Sequence, residues 1–250
     1  MTLLIDIGNT RIKWAQLSDG RLGQSRAAHY AGWRTRDFVR LLGAGPKFDR
    51  IIVSSVGSTK INEALSVAAR RARAPSPELV ATRRRACGVT VAYLEPWRLG
   101  VDRFLAMIAA HARFARPVCI VGVGTAMTID LLDGNGRHRG GAIIPAPQLM
   151  VSSLLKGTNG IRERALGGAD GRGPALFGRS TRAAVQQGAR FATAATVERA
   201  AREARALLGR PPRVVLTGGG ALDLQPLVDV PSVLLPDLVL QGLAVWAAQG

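Results

Sequence analysis

One segment, residues 4–15, constrains this chain more than any other. It reads Leu-Ile-Asp-Ile-Gly-Asn-Thr-Arg-Ile-Lys-Trp-Ala, which is an apolar run, a polar turn and a second apolar run. This pattern predicts a strand, a tight turn and a returning strand. Gly8 lets the backbone approach a phosphate group. Asn9 and Thr10 add hydrogen-bond donors, and Lys13 adds a positive charge for phosphate oxygens.

The same turn also offers a carboxylate. Asp6 ends the first apolar run, and its oxygens are ligands that Mg²⁺ accepts directly or through water. The turn lacks the Gly-x-x-x-x-Gly-Lys-Ser/Thr spacing of a Walker loop. For this segment alone, an ordinary hairpin with a polar turn remains the alternative.

A second segment, residues 118–131, repeats this design about half a chain later. Alignment of the two turns pairs Asp6 with Gly122, Gly8 with Gly124, Asn9 with Thr125 and Thr10 with Ala126. Two similar hairpins predict a duplicated fold. A nucleotide is expected in the cleft between the halves, because ligand sites favour such junctions.

Further short motifs follow in order along nearly the whole chain. The full set is Asp6-x-Gly8-Asn9-Thr10-x-x-Lys13, Tyr93, Gly100-x-Asp102-Arg103, Gly124-Thr125-Ala126-x-Thr128-x-Asp130, Gly140-Gly141-x-Ile143-x-Pro145, Thr181, Thr217-Gly218-Gly219 and Pro236-Asp237-Leu238-Val239-Leu240-x-Gly242-Leu243. In this order and spacing the chain resembles the type III pantothenate kinases, in the superfamily of acetate and sugar kinases, Hsp70 and actin. The resemblance implies an α/β fold of two duplicated actin-like (ribonuclease H-like) halves, residues 1–115 and 116–250. Each half would have a mixed sheet flanked by helices.

The resemblance also implies an activity, namely phosphorylation of pantothenate by ATP and Mg²⁺ to 4′-phosphopantothenate, the first step of coenzyme A biosynthesis. The residues it assigns to ATP are Asp6, Ile7, Gly8, Asn9, Thr10, Arg11, Ile12, Lys13, Thr125, Gly218 and Gly219. Asp6 would hold Mg²⁺ through the ATP phosphates, and Gly218-Gly219 would form the adenosine-side loop.

The residues that the resemblance assigns to pantothenate are Tyr93, Gly100, Val101, Asp102, Arg103 and Thr181. Asp102 would be the base for the primary hydroxyl, although a carboxylate here can also cap a helix that starts at Arg103. Arg103 would hold the substrate carboxylate through a two-point fork, or else form a surface ion pair. Tyr93 is a substrate contact or a packing residue, and Thr181 is a substrate contact or the N-cap of the helix at 181–208.

One position departs from the family pattern. The family commonly has Asp two residues before its Gly-Thr-Ala turn, where it is described as a ligand for a monovalent cation. This chain has Gly122 there. A K⁺ or NH₄⁺ site is therefore expected from the family but placed in doubt by this residue.

Composition narrows the class of protein. A hydrophobic fraction of 47% with 20% charged residues indicates a globular chain of 250 residues. No apolar run approaches the roughly 18 residues of a membrane span, and the chain begins directly with the motif strand, so neither a membrane segment nor a signal peptide is expected. Cys87 and Cys119 have no metal-ligand spacing. A cytoplasmic protein with reduced thiols is predicted.

The net charge of +17 allows a second interpretation. Arginine clusters at 70–73 and 83–85 fit a nucleic-acid binder, such as a transcriptional accessory protein of the same family. Solvated faces that attract anionic substrates are favoured instead, because aromatic residues make up only 5% of the chain. Asp6, Lys13, Asp102 and Thr125 together favour catalysis. A kinase for another small alcohol is a third possibility.

Hydrophobic periodicity predicts the following elements. Strands are expected near 2–8, 11–17, 25–30, 49–56, 117–123, 126–133, 139–144 and 213–217. Helices are expected near 35–43, 59–73, 102–114, 147–156, 181–208 and 237–248. Residues 75–100 are expected to be irregular, and the glycine-rich residues 157–178 to be mobile. The family's usual homodimer would use the helices at 147–156 and 181–208.

Overall fold

Internal contacts divide the chain into two units in the computed structural model. The structure describes residues 1–43, 47–167, 171, 173 and 175–249. Unit 1 contains Met1–Ala115, Asn135–His138 and Asp237–Gly250, and unit 2 contains Arg116–Gly134 and Arg139–Pro236.

The first 115 residues contain both strands and helices. The strands are β1 (Thr2–Ile7), β2 (Arg11–Ser18), β3 (Arg21–Leu22), β4 (Arg26–His29), β5 (Arg50–Ser55), β6 (Pro77–Leu79), β7 (Arg85–Ala86) and β8 (Val89–Thr90). The helices are α1 (Thr35–Gly43), α2 (Thr59–Arg71) and α3 (Val101–Arg113).

The rest of the chain is also mixed. Its strands are β9 (Val118–Val123), β10 (Ala126–Leu132), β11 (His138–Pro145), β12 (Arg213–Thr217) and β13 (Ser232–Leu234). Its helices are α4 (Pro147–Gly157), α5 (Asn159–Arg164), α6 (Thr181–Leu208), α7 (Ala221–Leu224) and α8 (Leu238–Ala247). None of the helices among the described residues is long and apolar enough to span a membrane.

The main sheet of unit 1 has the order β3-β2-β1-β5-β6, and β4 also pairs with β2. β1 is antiparallel to β2 and parallel to β5, and β5 is parallel to β6. β1 is apolar almost throughout because both of its faces are covered, as is usual for a central strand.

Helices cover both faces of this sheet. Residues of α1 and α2 such as Phe38 and Leu65 share one apolar cluster with Leu3, Ile5 and Ile7. The opposite face of β1 carries Asp6, because side chains alternate along a strand. α8 contacts β1 and β5, and α3 contacts β5 and packs closely on α8.

The α3–α8 contact depends on a glycine. A side chain at Gly242 would place its Cβ 2.1 Å from the carbonyl oxygen of Leu105, which is far inside contact distance. The two helices therefore approach backbone to backbone. This contact lies near the start of both helices, where Asp102 is in the first turn of α3 and Asp237 directly precedes α8.

Unit 2 repeats the sheet topology of unit 1. Its order is β11-β10-β9-β12-β13, with β9 antiparallel to β10 and parallel to β12, and β12 parallel to β13. β9 thus corresponds to β1, β10 to β2 and β12 to β5. Its core joins Val121, Met127 and Leu216 to Val197 of α6 and Leu224 of α7.

The predicted strands and helices are all present, with ends shifted by a few residues at most. Several elements were missed, namely β3, β6, β7, β8, α5, α7 and β13. All of these have six residues or fewer, too short for a periodic pattern. The prediction of an irregular segment at 75–100 is corrected by β6, β7 and β8. The segment at 157–178, which was expected to be mobile, contains α5, and its residues 168–170, 172 and 174 lie outside the described residues.

Candidate active site

The turn between β1 and β2 is tight and exposed. The amide of Gly8 donates to the carbonyl of Arg11 at 3.0 Å, and a Cβ at Gly8 would lie 3.2 Å from the same oxygen. Asn9, Thr10 and Arg11 are exposed to solvent. The Tyr30 hydroxyl donates a hydrogen bond to the Gly8 carbonyl oxygen at 2.6 Å and so stabilises the turn.

Two of the residues assigned to ATP point into the core instead. Ile7 and Ile12 are fully buried. Val101, assigned to the other substrate, is also buried. Any contact that these three residues make with a ligand would therefore come from their backbone.

Asp6 lies at the centre of a polar row on three neighbouring strands. The register pairs Asp6 with Lys13 of β2 and with Ser54 of β5. Residues paired in this way project from the same face of a sheet. The Ser54 hydroxyl, which is fully buried, donates to the Asp6 carboxylate at 3.0 Å.

The electrostatics of Asp6 are unusual. Its withdrawal from water raises its pKa to about 7. The Ser54 hydrogen bond and the Lys13 ammonium oppose this rise, whereas the charges of Asp102 and Asp237 add to it. Carboxylates from β1, α3 and α8 are therefore close enough to influence one another.

The Lys13 ammonium pairs with a residue to which the motifs assigned no role. Its Nζ lies 2.8 Å from Oδ1 of Asp237, directly before α8. The other Asp237 oxygen accepts a hydrogen bond from Ser25. Burial tends to raise the pKa of Asp237, but the hydrogen bonds from Lys13 and Ser25 and the Lys13 charge hold it below its ordinary value.

Asp102 lies in the first turn of α3. The helix begins at Val101 and its N-cap is Gly100, so the expectation that Asp102 caps a helix starting at Arg103 is wrong. Its Oδ1 accepts the amide of Arg103 at 2.9 Å. This bond fixes the direction of the carboxylate at the start of the helix.

Arg103 is buried rather than paired on the surface, with only 7% of the residue exposed. Its Nη1 donates to the Tyr93 hydroxyl at 3.2 Å, and its guanidinium carbon lies 5.8 Å from the centre of the Tyr93 ring. The same ring stacks on His138, with centroids 5.9 Å apart and 24° between the planes. The structure thus brings Tyr93 and Arg103 together.

The loop that carries Tyr93 is held by an arginine. Arg84 donates from Nη1 to the carbonyls of Val91 (3.1 Å) and Tyr93 (2.5 Å), and from Nη2 to that of Leu94 (2.5 Å). The backbone amide of Val91 also donates a hydrogen bond to the Arg84 carbonyl oxygen at 3.0 Å. Arg84 belongs to the basic cluster at 83–85, and although it is exposed to solvent it holds this loop through three carbonyls.

Two of the expected nucleotide segments meet inside unit 2. The Gly218-Gly219-Gly220 turn follows β12, and the Gly220 amide donates to the Val123 carbonyl at 3.1 Å. Gly218 has a φ of 92°, and a Cβ there would lie 2.4 Å from that carbonyl oxygen. Glycine is therefore required at Gly218. Val123 comes just before Gly124 and Thr125, so the exposed Thr125 and Gly219 lie on neighbouring turns.

The register of unit 2 supports the pairing of Asp6 with Gly122. Gly122 pairs with Thr128 and Thr217, in the positions that Lys13 and Ser54 hold beside Asp6. The turn itself is one residue shorter. The Gly124 amide donates to Ala126, whereas that of Gly8 donates to Arg11, so Ala126 corresponds to Arg11 and not to Thr10.

Thr181 is the first residue of α6, but it is not the cap. The N-cap is Ser180, whose hydroxyl accepts the Ala183 amide at 3.1 Å. The capping alternative for Thr181 is therefore wrong by one residue. Its side chain is partly buried on the first turn of the helix.

Asp6 also has the chemistry of a magnesium ligand. Mg²⁺ prefers hard oxygen donors and binds through one or two carboxylates plus phosphates and water. A carboxylate whose pKa is raised by burial and by neighbouring negative charges is stabilised by a cation. Among the described residues, no three His, Cys, Asp or Glu side chains cluster closely enough to hold an ion by themselves.

Known proteins resemble this chain over nearly its whole length. The sequence model of the type III pantothenate kinase family matches residues 2–203. The type III pantothenate kinase of Stenotrophomonas maltophilia strain R551-3 is 40% identical over 245 residues, covering 98% of this chain and 96% of the relative. This chain belongs to the type III pantothenate kinase family.

Solved structures with low sequence identity share the fold. A protein from Campylobacter jejuni, assigned to the Baf family of transcriptional activators, superposes with a TM-score of 0.61 at 17% identity and covers 99% of this chain and 98% of that protein. A ROK family glucokinase from Streptomyces griseus, solved with glucose and AMPPNP, gives a TM-score of 0.52 at 12% identity and covers 100% and 99% of the two chains. The actin-like α/β fold expected from the motifs is confirmed.

The structure of this pantothenate kinase family member adds residues to the candidate active site that the sequence did not indicate. They are Ser25, Ser54, Arg84, His138 and Asp237. Asp237 belongs to the motif at 236–243, and this was the one signal that the sequence offered for it. Of the other four, Ser54, Arg84 and His138 contact predicted site residues, whereas Ser25 contacts Asp237, and no local pattern marks them.

Proposed function

We propose that this protein transfers the γ-phosphoryl group of ATP to the primary hydroxyl of pantothenate. The observation that carries the proposal is the juxtaposition, at one edge of the unit 1 sheet, of Asp6, Lys13 and the first turn of α3 with Asp102. Membership of the pantothenate kinase family supplies the substrates.

In this proposal, Asp102 is the general base. The hydroxyl oxygen of pantothenate forms a bond to the γ-phosphorus, the bond from that phosphorus to the β–γ bridging oxygen breaks, and ADP leaves. The hydroxyl proton passes to Asp102. The amide of Arg103 holds one carboxylate oxygen at 2.9 Å, which orients the group before the substrate arrives.

Phosphate recognition falls to the two glycine turns. In unit 1 we assign it to the exposed backbone at Gly8, Asn9 and Thr10 and to the Lys13 ammonium. In unit 2 we assign it to Thr125, with Gly218 and Gly219 on the adenosine side. Phosphoryl transfer depends chiefly on such positioning and charge stabilisation. Bound with ATP and contacted by Asp6, Mg²⁺ would neutralise phosphate charge.

Pantothenate is assigned to the neighbourhood of Tyr93 and Arg103. The substrate carries a carboxylate, and a buried guanidinium is suited to a two-point hydrogen bond with such a group. Gly100 leaves space at the start of α3, since a Cβ there would lie 2.6 Å from Oδ1 of Asp102. We also assign Thr181 to pantothenate.

We further propose that the duplication in sequence runs from 1 to 115 and from 116 to 250, although residues 135–138 and 237–250 pack within unit 1, and that the protein is a cytoplasmic homodimer. The shared strand order supports the first statement. For the dimer, Leu149 and Leu154 of α4 are each 40% exposed, and α4 packs on α6. Analytical ultracentrifugation of the wild type and of Leu149→Glu tests this, because a monomeric wild type contradicts it.

The activity is tested by incubating purified protein with Mg²⁺ and radiolabelled ATP, in buffers with K⁺ or NH₄⁺. Pantothenate and a panel of other small alcohols are offered separately. We expect label in 4′-phosphopantothenate. If only another alcohol becomes labelled, that alcohol and not pantothenate is the substrate. If no product exceeds the enzyme-free control, the kinase activity is refuted.

A further inference from the structure

The ion pair between Lys13 and Asp237 is built from two distant parts of the sequence. The two charged atoms are 2.8 Å apart, and each side chain is only about a quarter exposed, 25% for Lys13 and 21% for Asp237. Ser25 donates to the second carboxylate oxygen, so both oxygens of Asp237 are engaged. This arrangement fixes the direction of the carboxylate.

The backbone of Asp237 is an independent sign of a special role. Its φ of 60° and ψ of 28° lie in the left-handed region, which Asp and Asn enter at lower cost than other residues with side chains. Strained backbone of this kind concentrates at functional sites.

The position of Asp237 makes its side-chain contacts unexpected. Asp237 is the N-cap residue of α8, where an aspartate normally accepts an amide of the first turn. Its side chain makes no such bond. The carboxylate is instead directed at Lys13 and Ser25, while the backbone carbonyl accepts the Gln241 amide at 3.0 Å.

We infer that Asp237 is a positioning residue, which holds the Lys13 ammonium beside Asp6 for the phosphates of ATP. A lysine side chain has a flexible four-carbon stem, and holding it in place lowers the entropy lost when the phosphate binds. The inference rests on the proposed function of Lys13 as a phosphate contact. Arg26, which pairs with Trp14 in the β2–β4 register, is the nearest basic residue in sequence to Ser25.

A spectroscopic test does not depend on catalysis. The chain contains four lysines, namely Lys13, Lys47, Lys60 and Lys156. After reductive ¹³C-methylation, each gives a separate NMR signal, and Lys13→Arg identifies the one from Lys13. We expect Asp237→Asn to shift and sharpen the Lys13 signal and to leave the other three unchanged. An unchanged Lys13 signal would refute the pair.

The kinetic test uses matched variants. Asp237→Asn keeps a residue that tolerates left-handed backbone but removes the charge, and Ser25→Ala removes only the supporting bond. Glu78→Gln is the control, because it removes a carboxylate from the exposed Arg50–Glu78 pair on β5 and β6. We expect kcat to fall about tenfold in Asp237→Asn, by a smaller factor in Ser25→Ala, and not in Glu78→Gln.

Two further measurements separate positioning from folding. The KM for pantothenate should stay within about twofold of the wild type, because only Lys13 and the phosphates are affected. An unchanged kcat, or a loss of rate that only follows the folded fraction measured by circular dichroism, overturns the inference. A wild-type protein without kinase activity refutes the proposed function but leaves the NMR result standing.

Discussion

Ser54 donates a hydrogen bond to Asp6 across the β1–β5 pair, at a distance of 3.0 Å, and this bond joins the carboxylate to the fully buried part of the sheet. The bond stabilises the ionised form, yet burial outweighs it and raises the pKa of Asp6 from 3.8 to about 7. Asp6 is therefore an acid that titrates near neutral pH.

The first prediction concerns stability and pH in Asp6→Asn. A raised pKa means that the folded chain binds more protons than the unfolded chain between pH 4 and 7, so ionisation of Asp6 destabilises the fold as pH rises. The resulting loss in the free energy of unfolding is absent below pH 4 and grows up to pH 7. Above pH 7 it is at most about 4 kcal/mol. We expect the variant to gain stability over the wild type at pH 8, with the difference closing towards pH 4.

Urea unfolding at several pH values, without Mg²⁺, measures this difference. Glu78→Gln is a control of opposite sign, because the hydrogen bond from Arg50 lowers the pKa of Glu78. Glu78→Gln should therefore slightly lower the free energy of unfolding at pH values above the pKa of Glu78. An Asp6→Asn variant whose stability relative to the wild type does not change with pH would contradict the raised pKa.

The second prediction concerns the proposed base. Asp102→Asn should lower kcat by on the order of 10²-fold or more, as expected for loss of a general base, and should change the KM for ATP little. The fold should tolerate the change, because the N-cap of α3 is Gly100 and an Asn oxygen can still accept the Arg103 amide. Steady-state kinetics and a thermal melt check both parts. Near wild-type kcat would remove Asp102 from the mechanism.

The sequence predicted the site residues that lie within one hairpin and missed those that are far away in sequence. Asp6, Gly8 and Lys13 lie within one hairpin, where strand periodicity and turn chemistry reveal their arrangement. Asp237 reaches Lys13 only after α8 docks against β1, and no local pattern encodes that contact. Ser180 was missed as the cap of α6 because helix ends are uncertain by one or two residues.

Arg84 shows a second limit of pattern reasoning. In the sequence it is one of three adjacent arginines, and nothing distinguishes it from Arg83 or Arg85. In the structure Arg83 lies 5.2 Å from the Trp246 ring centre, while Arg84 binds three carbonyls of the Tyr93 loop. Tertiary contacts therefore give neighbouring identical residues different roles.

The third prediction follows from that difference. Arg84→Lys keeps the charge but loses the planar fork that reaches several carbonyls at once. We expect the KM for pantothenate to rise about tenfold, because a freed Tyr93 no longer orients the substrate, with the KM for ATP unchanged. Arg85→Lys is the matched control, because Arg85 is the next residue and is exposed like Arg84. Equal behaviour of the two variants would show that the Arg84 hydrogen bonds have no part in substrate binding.

The fourth prediction concerns Gly122 and monovalent cations. The register places Gly122 where Asp6 stands in unit 1, between Thr128 and Thr217. Glycine supplies neither charge nor side-chain oxygen, and a cation site without its anion binds more weakly. We expect a weaker dependence on K⁺ or NH₄⁺ than in relatives that carry the aspartate, and a gain of dependence in Gly122→Asp.

The geometry at Gly122 requires a second variant. A Cβ there would lie 2.9 Å from Oγ1 of Thr128, so any side chain obliges that hydroxyl to move. Gly122→Ala makes the same steric demand without the charge, and its rate should not respond to K⁺. The measurement is the initial rate against KCl at constant ionic strength, with a large organic cation as the replacement. If the wild type is inactive without K⁺ and saturates at low concentration, other ligands hold the ion and the aspartate is not needed. If Gly122→Ala and Gly122→Asp respond alike, the effect comes from displacement of Thr128 and not from the added carboxylate.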